Sequence, residues 1–207
     1  MIAVTAAYKR KRNRNARERA LILAASKLFA SRGYEATTTR EIAARAGCAE
    51  GLIHRYFQSK SGLLFALMRC HASEEATELG EHLPRADDLD QEIRQLLEWE
   101  LDRMWKAWDF LRVMVPRAIL DPRVGRFVSK VGPGRHAKAI RERLRHYQRN
   151  GAALKDNEVE ALANAIGALG FTFGFMRQVV FGFDRKQTKG LAVRVAQIFS
   201  RGLRVAS

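Results

Sequence analysis

Three side chains between residues 37 and 60 have the chemistry to bind a nucleic acid. Arg40 can donate two parallel hydrogen bonds to guanine O6 and N7 in a major groove. The Tyr56 hydroxyl and the Lys60 ammonium suit phosphate oxygens, which fix the register of a protein on a duplex without reading its sequence. A carboxylate, Glu50, lies among these groups. Its presence needs an explanation, because phosphate repels it.

The positive charge of the chain is concentrated in its first third. The 207 residues carry a formal net charge of +15, and residues 1–70 hold 14 Lys and Arg against 4 Glu. Residues 71–207 hold 23 Lys and Arg against 18 acidic residues. This asymmetry favours a nucleic acid or an anionic membrane as the partner. The closely spaced cations of residues 1–15 predict a flexible basic arm that can follow a DNA backbone or enter a minor groove.

Other function classes have no support in the sequence. There is no phosphate-binding glycine loop and no nucleophile elbow, so we predict no enzyme and no catalytic residue. The five histidines make no close metal-binding spacing, so no metal site or other cofactor is expected. Cys48 and Cys70 suggest no disulfide framework and the N-terminus does not resemble a secretory signal, so a cytoplasmic location is predicted. The uncharged run 161–176 is too short for a bilayer span and is interpreted as a buried helix, with no membrane partner.

Helical periodicity and capping signals predict an all-α fold. Thr38 and Glu41 have the spacing of a capping box, Gly33 and Gly47 are placed to end helices, and Ser59 is placed to begin one. Helices are predicted at 16–31, 39–46, 50–57 and 59 to about 80, and beyond Pro84 at about 88–105, 108–120, 136–150, 156–181 and 186–204. Residues 123–131 fit either a short helix or a loop.

The two short helices around Gly47 and the helix before them form a helix-turn-helix pattern. The wider stretch is more specific, since it contains Gly33-Tyr34, Thr38, Arg40-Glu41-Ile42-Ala43, Ala46-Gly47, Gly51, Tyr56-Phe57, Ser59-Lys60 and Leu63. Through these residues, the region from about 16 to 68 closely resembles the DNA-binding domain of the tetracycline-repressor (TetR) family. The resemblance implies a three-helix helix-turn-helix DNA-binding domain at 16–68. It also implies a larger helical domain for ligand binding and dimerisation at 69–207.

The resemblance assigns DNA contacts by motif position. Thr39 and Arg40 fall at the contact positions of the second helix, and Lys60 matches the lysine that meets phosphate at the start of the fourth helix. Further residues on or beside the recognition surface are Glu50, Gly51, Leu52, His54, Arg55 and Tyr56.

The sequence departs from the family pattern at three positions of this surface. Ala49, Leu52 and His54 stand where the family often has Ser or Thr, a Thr-like residue and Tyr. Ala49 removes a helix cap and a hydroxyl donor. Leu52 removes an expected phosphate contact and could instead touch a thymine methyl group.

Glu50 has two interpretations at this stage. As a reading residue, its carboxylate can accept a hydrogen bond from cytosine N4. As a structural residue at the first position of the recognition helix, it complements the helix dipole where Ala49 is a poor N-cap. The structural interpretation is favoured as the minimum role, because it follows from the neighbouring residue and needs no particular operator.

Aromatic and methionine side chains in the C-terminal region fit either a helical core or a ligand pocket. The pocket candidates are Met104, Trp105, Trp108, Phe110, Phe171 and Phe175. Gly167, Gly170 and Gly174 share one helix face and permit close helix packing, either within the chain or between protomers. The resemblance favours the dimer interface, because the last two helices of the family usually form a four-helix contact. The run Arg141, Arg143 and Arg145 is interpreted as a solvated helix face.

Together these features predict a homodimeric, ligand-responsive transcription regulator that is not an enzyme. The prediction is a repressor that an apolar or amphipathic small molecule releases from a palindromic double-stranded DNA operator. The alternative is a non-specific nucleic-acid-binding protein, whose affinity would barely depend on sequence. The size of the region 69–207 argues against this alternative, since packaging of a nucleic acid needs no such domain.

Overall fold

The computed structural model describes the backbone of residues 2–131 and 133–205, and the side chains of residues 13–72, 79, 83–130 and 137–203. All regular structure in these ranges is helical, which confirms the predicted all-α fold. The first four helices are α1 (Ile2–Arg32), α2 (Thr39–Arg45), α3 (Gly51–Phe57) and α4 (Lys60–His82). The next four are α5 (Leu89–Lys106), α6 (Trp108–Leu120), α7 (Pro122–Val131) and α8 (Pro133–Arg149). The last elements are α9 (Asp156–Phe171), a π-helical segment (Thr172–Met176), the single turn α10 (Arg177–Val179) and α11 (Arg185–Val205).

Helix α1 begins much earlier than the sequence indicated. Residues 2–15, predicted to be a flexible arm, continue the helix of 16–31 without a break. Alanine, lysine and arginine all have high helix propensity, and Arg14 pairs with Glu18 one turn away at 2.7 Å. The cations at 9–12 lie outside the side chains that the structure describes, so their contact with DNA stays a prediction.

The local start and stop signals of the N-terminal helices are confirmed. The Thr38 side chain accepts a hydrogen bond from the Glu41 amide while the Glu41 carboxylate accepts one from the Thr38 amide. Gly33 and Gly47 take the left-handed conformation at φ 83° and 62°, which glycine adopts without steric cost. The Ser59 hydroxyl accepts from the Gly62 amide at 3.0 Å and begins α4.

Two hydrophobic clusters hold the helices together. The first joins α1–α4 with α6 and α7, and its buried members include Phe29, Ile42, Ile53, Leu64, Met114 and Val124. The second joins α5, α8, α9 and α11, and includes Ile93, Leu96, Ile140, Leu144, Ile166 and Ala196. Helix α4 contributes Leu64 to the first cluster and Leu79 to the second. The predicted domain boundary at 68/69 therefore falls inside one continuous helix, and it stays a prediction.

A buried polar network ties the α4–α5 connection to α5 and α8. The Arg143 guanidinium donates from Nε to Glu92 Oε1 and from Nη2 to Glu92 Oε2 at 3.0 Å. It also donates to the backbone carbonyls of Leu83 and Pro84. The Tyr147 hydroxyl lies 3.1 Å from Glu92 Oε2. Arg143 was expected on a solvated face, but it is buried because α8 turns this side towards a carboxylate with no exposed surface.

The helical stretch from α9 through α10 contains a long apolar run. Asp156–Val179 is long and apolar enough to cross a membrane by length and composition, and its most apolar 18-residue window has a mean hydropathy of 1.4. This test alone is weak, because core helices of soluble proteins also pass it. Val159, Leu162 and Ile166 from this stretch belong to the second cluster, but only 39% of its apolar window is buried, so the predicted burial of 161–176 holds for one face of the helix. The π-helical segment interrupts the single helix expected over 156–181.

Candidate nucleic-acid interface and effector cavity

The packing of α2 against α3 fixes which face of the recognition helix is exposed. Ile42 and Ala43 of α2 and Ile53 of α3 are buried in the first cluster. The predicted contact residues on the other side of these helices are exposed: Arg40, Glu50, Gly51, His54 and Arg55. This arrangement exposes the side chains of Arg40, His54 and Arg55 and the Glu50 carboxylate on the side of α2 and α3 that faces away from the core.

Glu50 connects the two short helices. Its carboxylate Oε1 accepts a hydrogen bond from the Thr39 hydroxyl at 2.5 Å, so the N-terminal start of α3 is tied to the first turn of α2. Glu50 makes no capping hydrogen bond, but its backbone is already helical at φ −57° and ψ −38°. The charge therefore lies at the N-terminal end of α3, where it complements the helix dipole. The bond to Thr39 is a role that the sequence did not indicate.

Leu52 and Tyr56 are half-buried against the first cluster rather than fully on the exposed face. The ring of Tyr56 packs edge-on against Phe57 and lies 5.3 Å below the guanidinium carbon of Arg14. Helix α1 thus reaches the recognition helix directly. A thymine contact by Leu52 stays a prediction, and it would use a side chain that also serves the core.

An open cleft lies between the N-terminal half of α1 and helix α3. Its volume is about 780 Å³, and its lining residues are Asn13, Arg14, Asn15, Arg17, Glu18, Arg55 and Tyr56. Three guanidinium groups face one carboxylate there, which suits phosphate oxygens. Sequence reasoning missed the α1 members because it divided this region into a flexible arm and a scaffold helix. The usable signal was the continuation of helix-forming residues through 16.

Lys60 has a different set of partners from those expected. Its ammonium donates to the backbone carbonyls of Tyr34 and Thr37, each at 3.0 Å, and lies 3.4 Å from that of Glu35. The ammonium also lies 4.4 Å from the ring centroid of Tyr34. Three donors and three carbonyls match, so Lys60 stabilises the α1–α2 connection. A phosphate contact would require some of these bonds to be released.

Arg117 links helix α6 to the same connection. Its Nη1 donates to Glu35 Oε1 at 2.5 Å, and its guanidinium carbon lies 4.6 Å from the ring centroid of Tyr34. Hydrogen bonds from Arg123 lower the pKa of Asp121 to about 2, so this carboxylate stays ionised beside Arg117. The C-terminal end of α6 is therefore fastened to the loop that leads into the capped start of α2.

A cavity of about 670 Å³ lies between α4, α5, α6, α7, α8 and α9. Its walls are predominantly apolar, and the lining residues on α6 are Phe110, Leu111, Met114, Val115, Ala118 and Ile119. Helix α9 contributes Ala163, Asn164, Gly167, Ala168 and Phe171. A cavity of this size and character suits a small organic ligand. Helix α6 supplies both the cavity wall and Arg117.

Half of the predicted pocket residues line this cavity. Met104, Phe110 and Phe171 do, whereas Trp105, Trp108 and Phe175 do not. Phe175 is 3% exposed and packs on Phe171 with ring centroids 5.6 Å apart. The Trp105 ring instead lies under the guanidinium of Arg185, 5.2 Å away. The sequence could not separate these aromatics, because composition does not show which side of a helix faces the void.

The structure adds cavity residues that were not predicted from the sequence. His71 on α4 lines the cavity with its ring 3.9 Å from that of Phe110, and Met68 lies one turn before it. The spacing of Phe110, Met114 and Ala118 on α6 was the available signal, since it marks a continuous helix face. In the part of the chain that is described, no group of three or more His, Cys, Asp or Glu could hold a metal ion.

The three glycines of the α9 region have different environments. A Cβ built on Gly170 would lie 2.6 Å from Glu100 Cβ, and one built on Gly174 would lie 2.6 Å from Met104 Cβ. These two glycines therefore allow α9 and the π-helical segment to approach α5 within the same chain. A Cβ on Gly167 would meet no atom within 4 Å, and Gly167 lines the cavity. The expected role of this face in dimerisation is wrong for Gly170 and Gly174.

Large apolar side chains are exposed in the two C-terminal stretches that were predicted as the helices 156–181 and 186–204. Val180 and Phe181 follow α10 with 56% and 61% of their surface exposed, and Ile198 on α11 is 64% exposed. Phe183, in the connection to α11, is 42% exposed and packs against Arg177 at 3.9 Å. Exposed apolar surface of this kind is a common mark of a protein–protein contact.

Comparison with known proteins matches residues 21–67 to the family described as "Bacterial regulatory proteins, tetR family". Over 50 residues the chain is 48% identical to the uncharacterized HTH-type transcriptional regulator YvkB of Bacillus subtilis. Over 85 residues it is 33% identical to the HTH-type transcriptional activator FasR of Mycolicibacterium smegmatis. These matches cover 24% and 41% of this chain, and only 26% and 39% of the two relatives.

The likeness of fold extends over most of the chain. A TetR family transcriptional regulator from Pseudomonas syringae superposes with a TM-score of 0.66 at 24% identity. That match covers 87% of this chain and 93% of the other. At this identity, the similarity describes the fold alone.

Proposed function

We propose that this chain, which belongs to the tetR family of bacterial regulatory proteins, is a homodimeric DNA-binding transcription regulator controlled by a small molecule. The proposal rests on the position of helix α6, which contacts both the cavity and the connection into α2. It walls the cavity with Phe110 and Met114, and at its C-terminal end Arg117 holds the connection into α2. A ligand in the cavity and a duplex on α2 and α3 therefore act on one continuous set of contacts.

The proposed DNA contacts are the exposed side chains around α3 and the start of α2. Arg40 is the candidate for a bidentate contact with guanine, and Arg55 and His54 lie exposed on the recognition helix. The cleft between α1 and α3 adds Arg14 and Arg17 as candidates for phosphate contacts. A cytoplasmic location and the absence of a membrane partner belong to the same proposal.

Dimerisation through the last two helices is supported by the exposed apolar side chains Val180, Phe181 and Ile198. A twofold dimer presents two recognition helices to two half-sites, so the operator is expected to be a palindrome. We propose repression with release by the ligand. The relative FasR is named an activator, so the direction of control is part of the test.

Selection from random duplexes tests the DNA proposal. The full-length chain is incubated with a random library in the presence of competitor DNA, and the bound sequences are determined. An enriched palindromic site with well-defined half-site spacing supports the regulator. Binding without sequence enrichment would favour the non-specific nucleic-acid-binding alternative. Transcription from a promoter carrying the selected site, with and without the chain, then distinguishes repression from activation.

A further inference from the structure

Gly167 lies in the middle of α9, and packing within the chain does not require a glycine there. At Gly170 and Gly174 an added Cβ would come within 2.6 Å of a side-chain carbon on α5, whereas at Gly167 it would meet no atom within 4 Å. A glycine inside a helix lowers stability relative to alanine. Close packing explains two of the three glycines, and the third opens onto the cavity.

The space beside Gly167 is suited to an apolar occupant. The other walls of the cavity include Phe110, Met114 and Val115 on α6 and Phe171 on α9 itself. Side chains that line a void lose dispersion contacts that a filled site would make. A molecule that fills the cavity and touches the backbone of α9 at Gly167 restores those contacts.

The described walls hold one guanidinium, Arg103, which is paired with an acidic residue, and one imidazole, His71, whose ring packs on Phe110 at 3.9 Å. No acidic residue is among the described lining residues, and the guanidinium of Arg103 lies 2.6 Å from Glu100, whose carboxylate is fully buried. Asn164 donates to the backbone carbonyl of Glu160 at 2.8 Å. An ammonium fully buried here would lose its hydration and gain no opposite charge, and a carboxylate would gain one only if the His71 imidazole took up a proton, so both charged forms are disfavoured.

We infer that the effector is an uncharged, mainly apolar molecule bound against Gly167, and that Gly167 determines specificity because its missing side chain sets the room for the ligand. This inference rests on the proposed ligand-responsive function. It assigns the chemical class of the ligand and the residue that limits its size.

The class is tested on the full-length chain with two fluorophores that share one ring system. N-phenylnaphthylamine is uncharged, and anilinonaphthalenesulfonate carries a sulfonate. We expect the uncharged probe to bind at least about tenfold more tightly, which corresponds to about 1.4 kcal/mol. Decanol is expected to displace it, and decyltrimethylammonium to displace it at least about tenfold less well. Equal or tighter cavity binding of either charged compound would overturn the assignment of an uncharged ligand.

The position of the ligand in the cavity is tested by filling the space beside Gly167 with a side chain. The Cβ of Gly167→Leu would meet no atom within 4 Å outside its own helix backbone and chain neighbours, and leucine has a higher helix propensity than glycine, so the variant is expected to fold with an equal or higher Tm. It should bind N-phenylnaphthylamine at least about tenfold more weakly. Only the part of each probe's signal that this variant removes counts as cavity binding, because a basic surface attracts sulfonates elsewhere.

Two further variants make the test independent of the folding of Gly167→Leu. Gly167→Ala adds one methyl group and is expected to weaken binding by a smaller factor than leucine. Gly190→Leu is the matched control, because Gly190 on α11 also has no atom within 4 Å of an added Cβ and does not line the cavity. It should bind the probe as the unmodified chain does. Unchanged binding in both Gly167 variants would place the ligand elsewhere.

The outcome is distinguishable from failure of the regulator proposal. Gly167→Leu should still bind the selected duplex, and decanol should no longer release it. If no duplex is selected, the proposed function fails, while the probe measurements still decide the occupant of the cavity. If decanol releases DNA equally from the unmodified chain and from Gly167→Leu, the regulator stands and this inference is wrong.

Discussion

Replacing Arg143 by methionine should expose how much the buried network contributes to stability. Methionine keeps most of the side-chain length but removes the two hydrogen bonds to Glu92 and those to the carbonyls of Leu83 and Pro84. Glu92 has no exposed surface, so its carboxylate cannot recover water in place of the lost cation.

The size of the effect follows from what remains around Glu92. The Ala86 amide, Gln95 Nε2 and the Tyr147 hydroxyl still lie at 3.0, 2.6 and 3.1 Å from its carboxylate. Removing one partner of a buried ion pair costs about 3 to 5 kcal/mol. Because three neutral donors remain, we expect a loss near the lower end, about 3 kcal/mol in the free energy of unfolding.

The pH dependence of this loss provides a sharper signature. Burial raises the pKa of Glu92, but hydrogen bonds from Arg143 and from the Ala86 amide outweigh burial and bring the pKa below its ordinary value of 4.5. In the unmodified chain this group therefore stabilises the fold above pH 4.5 and loses its contribution as the pH falls through the lower, folded value. Without Arg143, burial dominates and the pKa should rise above 4.5. The variant should then gain stability as the pH is lowered from 7 towards 4.5.

Urea denaturation at fixed protein concentration, repeated between pH 7 and pH 5, measures both effects. Arg145→Met is the control, since Arg145 is exposed on the same helix and should change stability by less than about 0.5 kcal/mol. Adding Glu92→Gln to Arg143→Met should recover at least about 1 kcal/mol, because no unpaired charge is then buried. A cost below about 1 kcal/mol for Arg143→Met, with no recovery in the double variant, would refute the reasoning.

Three further measurements address the proposed DNA-binding helices and the packing of α9 against α5. Glu50→Gln keeps an acceptor for Thr39 but removes the charge, so we expect a loss of roughly 0.3 to 1 kcal/mol in the free energy of unfolding and tighter, less selective duplex binding. A changed preference at one base pair in repeated selection would instead show that Glu50 reads sequence. Gly170→Leu should destabilise the chain by about 1 to 3 kcal/mol in urea, because Glu100 Cβ lies 2.6 Å from the added Cβ; an equally stable chain with a weaker dimer in sedimentation would restore an interface role. Deleting residues 2–12 should make the fall of duplex affinity with salt shallower, and an identical slope would mean that this segment does not touch DNA.

The features that the sequence predicted well depend on residues close together along the chain. The capping box of Thr38 and Glu41 and the left-handed Gly33 and Gly47 involve neighbours within three or four positions, so spacing alone identifies them. The all-α class follows from the same local periodicity. The length of α1 was missed because a dense run of like charges was taken as a sign of disorder, while its residues favour a helix.

The features that the sequence could not predict depend on partners far along the chain. Lys60 lies over 20 positions from the carbonyls that it holds, and Arg143 is 51 positions from Glu92. The glycines at 167, 170 and 174 follow one pattern, yet only the distances to α5 separate a packing role from a cavity wall. For the same reason, the sequence could not distinguish the aromatic candidates that line the cavity from those that do not.

Glu50 shows why a carboxylate is tolerated on a surface proposed to bind phosphate. Non-specific affinity for DNA grows with each cation that neutralises a phosphate, and this part of the affinity carries no sequence information. One carboxylate at the start of α3 opposes that attraction without removing Arg40 or Arg55, which supply the candidate base contacts. Its bond to Thr39 also fixes α3 against the first turn of α2, so in the proposed complex the same carboxylate would both weaken non-specific binding and hold the two helices in a fixed arrangement. The two effects act in the same direction, because selectivity rises when background binding falls and when the donors are held in one geometry.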